Sequence, residues 1–254
     1  KKAEFGVGIA RMEDRYFQTN IIDFSETKHN KSTYSIFGGS IVLEGSTLNA
    51  RQFATQGSRE KMAAQIFTGT EHFRSGASKV TKDTPEPYKK VQSWLQVSYQ
   101  NETYHKVSPK FTLGAYLEAY YSSRNFSNNY TATLMQAGEF TPTAHSKVTY
   151  NEAFRANQYA GVGAIPIYQL SESFQLRGEF YGFVPIFPIK KDEYGQAYYG
   201  KAFTKFEYLG EISLVFQLSF GSISAYVNHY SSPSNDWNVG LTLGWQLFNS
   251  RFIE

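Results

Sequence analysis

The chain has no cysteine, which excludes disulfide staples and thiolate-held metal sites. It has no apolar run long enough for a membrane-crossing helix, and its first residues, Lys1-Lys2-Ala3-Glu4, carry no signal-peptide core. An exported chain of this kind is expected to have been processed or cut from a longer one. Excess charge is also scarce: 25 basic residues against 22 acidic leave a net +3 with no basic stripe, which argues against nucleic acid as a partner. Catalytic signatures are missing as well. The nearest approach to a nucleophile elbow, Gly38-Gly39-Ser40-Ile41-Val42, lacks the final glycine and reads as strand. None of His29, His72, His105, His145 and His229 lies at metal-ligand spacing from another, and there is no phosphate-binding glycine loop. Asp192-Glu193 and Glu13-Asp14 read as solvated turns. No catalytic, metal or cofactor-binding residue is therefore expected, and the chain itself is not expected to be an enzyme.

Aromatic residues and two-residue alternation are abundant. The 21 Phe and 19 Tyr are the residue types that form girdles at the two faces of a membrane barrel. From Tyr208 to Phe220 one row reads Tyr208, Gly210, Ile212, Leu214, Phe216, Leu218 and Phe220; the other reads Leu209, Glu211, Ser213, Val215, Gln217 and Ser219. A period of two sustained that long predicts a strand about twice the usual length, as a bilayer demands. Near the C-terminus Val239, Leu241, Leu243, Trp245 and Leu247 form another such apolar row. A soluble barrel or sandwich alternates too, with its apolar row turned inward. Strand length, aromatics near row ends and charged opposite rows favour the membrane version, in which Ile212, Leu214, Phe216, Leu218, Phe220 and the row from Val239 to Leu247 face lipid.

Strand-like segments fall near 5–12, 15–24, 34–54, 59–73, 89–104, 109–123, 157–169, 174–187, 201–220, 222–231 and 237–248. Their connections alternate between short, as at 220–222, 171–173, 106–108, 56–58 and 13–14, and long, as at 231–236, 188–200, 124–156, 74–88 and 25–33. Outer-membrane barrels show this asymmetry, with tight periplasmic turns and extended external loops. Such barrels close with an even number of strands, so eleven segments imply one more, placed near Thr131 to Phe140, or a chain that is the C-terminal part of a larger, 16-stranded barrel. The expectation is an all-β antiparallel transmembrane barrel of about twelve strands, one domain over residues 1–254, with its C-terminus in the periplasm and a long external loop at 124–156.

Gln175, Arg177, Glu179 and Tyr181, and then Lys201, Lys205, Glu207 and Glu211, form rows suited to a wet lumen. An arginine near the end of the long loop, Arg155 after Phe154, can fold inward and bond bidentately to a wall carboxylate, for which Glu179 is the best-placed candidate. Residue counts alone favour the plainer arrangement, in which Glu179 pairs with its neighbour Arg177 or a cross-strand lysine and Arg155 is a solvated loop charge.

The segment Thr47-Leu48-Asn49-Ala50-Arg51-Gln52-Phe53-Ala54-Thr55-Gln56-Gly57 resembles the strand-and-turn signature of the bacterial surface-antigen barrels, the superfamily of outer-membrane assembly and translocation factors. Phe154-Arg155-Ala156 is similar to that superfamily's inward-folded loop motif, with Ala156 where glycine is usual. More specifically, Asn129-Tyr130-Thr131-Ala132, Phe140-Thr141-Pro142-Thr143-Ala144-His145-Ser146-Lys147, Tyr199-Gly200-Lys201-Ala202-Phe203 and Trp245-Gln246-Leu247-Phe248-Asn249-Ser250-Arg251 resemble the C-terminal barrel of bacterial patatin-like phospholipases. The resemblance implies a bacterial outer-membrane module, inserted by the barrel-assembly machinery, that contacts outer-membrane lipid and anchors or exports an upstream patatin domain. It also implies a loop lock in which Phe154 and Arg155 meet Glu179. None of Asp14, Asp23, Asp83, Asp192 and Asp236 precedes a glycine, so the family's catalytic dyad is not carried over. A translocation barrel acting on other proteins, or a diffusion pore, are the alternative readings.

Overall fold

The alternating segments form strands, and the computed structural model describes residues 1–17, 28–76, 87–127, 129–232 and 237–245. In chain order the elements are β1 (Lys2–Tyr16), β2 (Asn30–Ser46), β3 (Gly57–Arg74), β4 (Tyr88–Lys106), β5 (Phe111–Ser122), α1 (Tyr130–Gln136), β6 (Gly138–Glu139), β7 (Arg155–Ala156), β8 (Gln158–Gln169), β9 (Phe174–Pro185), β10 (Ile189–Lys191), β11 (Ala197–Tyr199), β12 (Glu207–Leu218), β13 (Gly221–Tyr230) and β14 (Trp237–Trp245). Ten of them build one sheet in the order β1-β2-β3-β4-β5-β8-β9-β12-β13-β14, and each neighbouring pair is antiparallel. β6 pairs with β7, and β10 with β11, as small hairpins inside the two longest connections. Most sheet strands run 12 to 19 residues, against a usual strand of about 5–6.

The connections sort by end. At one end lie the four-residue links 107–110 and 170–173, the two-residue link 219–220 and the ten-residue turn 47–56; at the other lie 17–29, 75–87, 123–157, 186–206 and 231–236. The two sets are called here the short-turn end and the long-connection end. Both Lys2 of β1 and Trp245 of β14 stand at the short-turn end, as an even number of strands requires.

The rows segregate in the sense opposite to that of a soluble sandwich. On β12 the buried row is Glu207, Leu209, Glu211, Ser213 and Val215, whereas Tyr208, Ile212, Leu214 and Phe216 are exposed. β9 repeats this with Gln175, Arg177, Glu179 and Tyr181 inside and Leu176 and Phe180 outside. The outward exposure belongs to apolar side chains in the middle of the sheet as well as at its edges: Ile66 is 65% exposed and Val91 68%, while Arg177 is 3% exposed.

What fills the inner side is the connection 123–157. Its Phe140 ring stacks on Phe183 of β9 at 5.5 Å and meets Tyr116 of β5 edge-on at 6.3 Å; its Phe154 lies 5.8 Å from Tyr230 of β13. The same connection reaches β1, where Gln136 donates to Asp14 (2.5 Å), and the far side of the sheet, where Asn151 donates to the Ser232 carbonyl (2.8 Å). The sheet therefore curls around this segment. Burying an aromatic ring of this size stabilises by about 1.5–3 kcal/mol, and Tyr104, Tyr116, Phe140, Phe154, Tyr159, Tyr181 and Phe183 belong to one buried cluster. Gly161 on the inner row of β8 makes room for it, since a Cβ there would overlap the Phe140 ring.

Several expectations are corrected. Among the described residues ten strands, not twelve, form the sheet, and β1 and β14 have no strand partner on their outer edges, so the sheet is open there. The extra strand expected near Thr131 to Phe140 is largely α1, because Asn129 caps it by accepting the Ala132 N–H at 2.9 Å and so satisfies a helix-start donor. Glu13-Asp14 is no turn. β1 runs straight through it, with Glu13 held to Lys31 of β2 at 2.6 Å and Asp14 bonded from inside, so one strand joins 5–12 to the start of the segment expected at 15–24, whose residues 18–24 lie outside the described residues. β2 stops at Ser46 and not at Ala54, and β12 begins at Glu207, which leaves Lys201 and Lys205 in the preceding connection.

Replacing Gly161 by valine is expected to push Phe140 off the wall and to destabilise the fold by about 1–3 kcal/mol, as overpacking does. The expected signature is a lower urea midpoint together with new protease cleavage between 124 and 156; an unchanged midpoint would contradict the packing described.

Candidate functional site

An inward polar row creates an electrostatic problem, because a buried carboxylate costs several kcal/mol unless it is paired or well hydrogen-bonded. Glu71, Glu118, Glu179, Glu207 and Glu211 are all buried on the inner wall. The register sets Glu179 of β9 directly opposite Glu211 of β12, an arrangement that would be repulsive without separate partners. Each has its own. Glu179 accepts from Arg177 Nε and from the Tyr181 hydroxyl (3.1 Å). Glu211 accepts from His145 Nδ1 (2.6 Å), whose ring stacks on Tyr226 at 3.5 Å, and from Asn228 (3.4 Å). Tyr159 (2.7 Å), Tyr116 and Gln100 (3.1 Å) donate to Glu118. Tyr88 (2.6 Å), Tyr34 (3.2 Å) and Gln92 (3.4 Å) donate to Glu71. Glu207 takes Ser231 Oγ and lies 3.4 Å from Lys205. Arg124, buried near Glu71, stacks its guanidinium over Trp94 (4.6 Å) and Tyr34 (5.2 Å) and donates to Gln136 (2.7 Å).

Two segments enter this interior from opposite ends. From the long-connection end comes 123–157, carrying α1 and two single turns at Ser146–Val148 and Glu152–Phe154. Partial burial, with the nearby Glu152 and Tyr150 adding, pushes the Tyr130 phenol of this segment up to about 12, so it stays neutral at physiological pH. From the short-turn end comes the turn 47–56. Asn49 organises it by accepting the Thr55 and Gln56 N–H groups at 3.0 and 3.1 Å. Gly57 leaves it at φ 90°, where a Cβ would run into the Thr47 carbonyl. Its tip is held by the wall: Arg177 donates to the Ala54 carbonyl (2.9 Å) and to the Tyr104 hydroxyl (2.7 Å), while Gln175 (3.2 Å) and Gln217 (3.1 Å) donate to the Phe53 carbonyl. Phe53 itself sits at φ 53°, a left-handed conformation that costs a non-glycine residue about 1–2 kcal/mol. Outside this turn a polar hollow of about 880 Å³, lined in part by Glu44, Arg51, Arg59 and Gln217, faces the short-turn end.

The proposed loop lock is not formed as expected. Phe154 is buried in the aromatic cluster, but Arg155 pairs with Glu139 (2.7 Å) and caps the carbonyls of Leu134, Met135 and Ala137, and Glu179 takes its neighbour Arg177. The cause is local: the β6–β7 pairing sets Arg155 opposite Glu139. Of the residues expected to face lipid, Ile212, Leu214, Phe216, Phe220, Val239, Leu241 and Leu243 are exposed on the outer side and Leu218 is half-buried; Leu247 and the side chain of Trp245 lie outside the described residues. Gly38-Gly39-Ser40 lies within β2. Among the described residues no group of three His, Asp or Glu could hold a metal ion. Sequence reading missed the 47–56 turn and the His145–Glu211 pair. Asn49 and Gly57 signalled the first, whereas nothing local to His145 signalled the second.

Arg177→Ala leaves Glu179 buried without its cation and is expected to cost about 3–5 kcal/mol, with new cleavage confined at first to 47–56. Arg155→Ala, which frees Glu139 and the carbonyls at the end of α1, is expected to expose 124–156 to protease and to leave 47–56 resistant. Identical digestion patterns in the two variants would contradict this division.

Comparison with protein-family models, with curated proteins and with solved structures found no match for this chain.

Proposed function

We propose that this chain is the wall and plug of a bacterial outer-membrane β-barrel that anchors an upstream domain. The observation that carries the reading is the outward placement of the oily rows, with side chains such as Ile212 and Phe180 half exposed while Glu179 and Glu211 are buried behind them. In water such a face would be a very large exposed apolar patch; in a bilayer it is the solvent-matched surface. Strand length supports the same reading, since twelve residues at about 3.3 Å each span a tilted bilayer crossing. So does the separation of short turns from long connections. No helix among the described residues is long and apolar enough to cross a membrane.

In this proposal β1 and β14 are joined directly or through further strands, because unpaired backbone groups in lipid cost several kcal/mol each. The upstream partner is taken from the resemblance to the barrels of patatin-like phospholipases: a lipase domain whose catalysis lies outside this chain and which the barrel holds at, or passes through, the membrane. A diffusion pore fits less well with an interior occupied by the Phe140–Phe154 segment and the 47–56 turn. Under the alternative translocation reading, the same plug would have to move.

Heat-modifiable migration tests the membrane barrel. The detergent-extracted chain is expected to run compact without boiling and to shift after it, and to give no steady conductance in planar bilayers. A chain monodisperse in plain buffer, with one migration at all temperatures, would overturn the reading; a steady open channel would overturn the plug.

A further inference from the structure

The outer face of β1–β4 changes character toward the long-connection end. Its middle is apolar: Phe5, Val7, Ile9, Phe37, Ile41 and Ile66 stand exposed there. Beyond Ile9 and Phe37 the same outer rows turn basic. The register sets Lys31 of β2 between Arg15 of β1 and Arg74 of β3, three cations side by side across adjacent strands. The next row toward the middle is Glu13, Thr33, His72 and Lys89, and the one after it begins with Arg11. All of these but Lys31 and Thr33 are exposed, and Lys28, exposed just before β2, adds to the basic side.

Like charges directly opposite each other in a sheet repel, so such a row needs a counter-charge. Glu13 supplies one, reaching Arg15 and Lys31 at 2.6 Å each. It is the one carboxylate on this part of the outer face among the described residues, because Asp14 and Glu71 of the same strands point inward, to Gln136 and to Tyr88 and Tyr34. Arg11, Arg74 and Lys89 have no carboxylate within ion-pair distance among the described residues. The adjoining connections carry Asp23, Glu26, Asp83 and Glu86, with Lys79 and Lys82, all outside the described residues. Two features select the kind of anion. The basic rows are continuous with the apolar ones: Arg11 lies two residues from Ile9, which is 86% exposed, and Lys89 two from Val91. The cations are also spread, since Arg11 on β1 and Lys89 on β4 are three strands apart, about 14 Å at the usual strand spacing and more than a single phosphate group spans.

We infer that this face is a docking surface for a lipid bearing two or more phosphates, with the phosphates held by Arg11, Arg74 and Lys89 and the acyl chains lying over Ile9, Phe37 and Ile66. The inference rests on the membrane reading proposed above and adds to it a preferred lipid for the leaflet at the long-connection end. Glu13 sets the strength of the surface by occupying Arg15 and Lys31.

Native mass spectrometry of the full detergent-extracted chain tests it, by titration with cardiolipin, which has two phosphates, with phosphatidylglycerol, which has one, and with zwitterionic phosphatidylcholine. Cardiolipin is expected to bind on the order of a hundredfold tighter than phosphatidylcholine, as three basic side chains at an anionic surface imply, and several-fold tighter than phosphatidylglycerol. Arg11→Gln with Lys89→Gln should remove most of that preference. Lys106→Gln with Lys110→Gln, the same loss of charge at the short-turn end, should keep it. Equal loss in both pairs reduces the effect to net charge, and no loss in the first pair assigns the counter-charge to the acids of 17–29 and 75–87; either overturns the inference. Glu13→Gln frees Arg15 and Lys31 and is expected to tighten cardiolipin binding a few-fold, a gain that a misfolded variant could not show; unchanged binding counts against the surface. Equal affinity for cardiolipin and phosphatidylglycerol overturns the need for two phosphates, and displacement of cardiolipin by inorganic pyrophosphate alone overturns the lipid as occupant. A chain that binds none of the three lipids would instead sink the membrane reading itself.

Discussion

Because the oily rows point outward, each carboxylate buried on the inner wall has to find its partner within, and this constraint shapes the rest of the molecule. Glu71, Glu118, Glu179, Glu207 and Glu211 share the inner wall. Two of them, Glu179 and Glu211, stand opposite each other in the register. Water alone could solvate them in an open interior. With the interior filled, the donors must come from protein, and they do: tyrosine hydroxyls, Arg177 and His145. A net gain of about 0.5–1.5 kcal/mol for a neutral hydrogen bond, and about 1.5–3 with a charged partner, is modest beside the cost of leaving a carboxylate bare. These networks therefore specify which segments occupy the interior more than they stabilise it. The stabilising part falls to aromatic burial around Phe140 and Phe154.

How much of this was legible follows from the range of each interaction. The period of two assigns Ile212 and Leu214 to one face and Glu211 and Ser213 to the other, and the spacing of turn residues sorts the connections by length, so the rows, the two ends and the all-β class could be read directly. The interior could not. Arg177 meets the Ala54 carbonyl across 123 positions of sequence, and Gln136 meets Asp14 across 122, so neither contact leaves a local trace. Two errors had local causes. Phe53 stands in phase with Ile41 and Leu43 of β2, so the alternation ran past the strand's end and hid the turn, and the segment from Thr131 read as strand although Asn129 starts a helix there. For Glu179 the neighbouring Arg177 was nearer the truth than the resemblance, whereas Arg155 meets neither solvent nor Glu179, because the β6–β7 pairing supplies Glu139.

The two inward segments are held by different forces, and this sets their relative strength. The turn 47–56 carries a strained Phe53 and is fastened mainly by hydrogen bonds to its carbonyls from Arg177, Gln175 and Gln217. The left-handed Phe53 offsets part of what those bonds contribute. The segment 123–157 has hydrogen bonds at both margins of the sheet and, in addition, the buried rings of Phe140 and Phe154 and the side chain of Leu134. Removing it would expose apolar area worth several times about 1.5–3 kcal/mol, whereas withdrawing the turn exposes mostly polar groups that water can satisfy. The short-turn end is thus the more weakly stoppered of the two, and the polar hollow lined by Glu44, Arg59 and Gln217 lies on that side. An interior that opened from this end would do so with the aromatic plug still in place, and the buried Glu118 and Glu211 would keep their donors throughout.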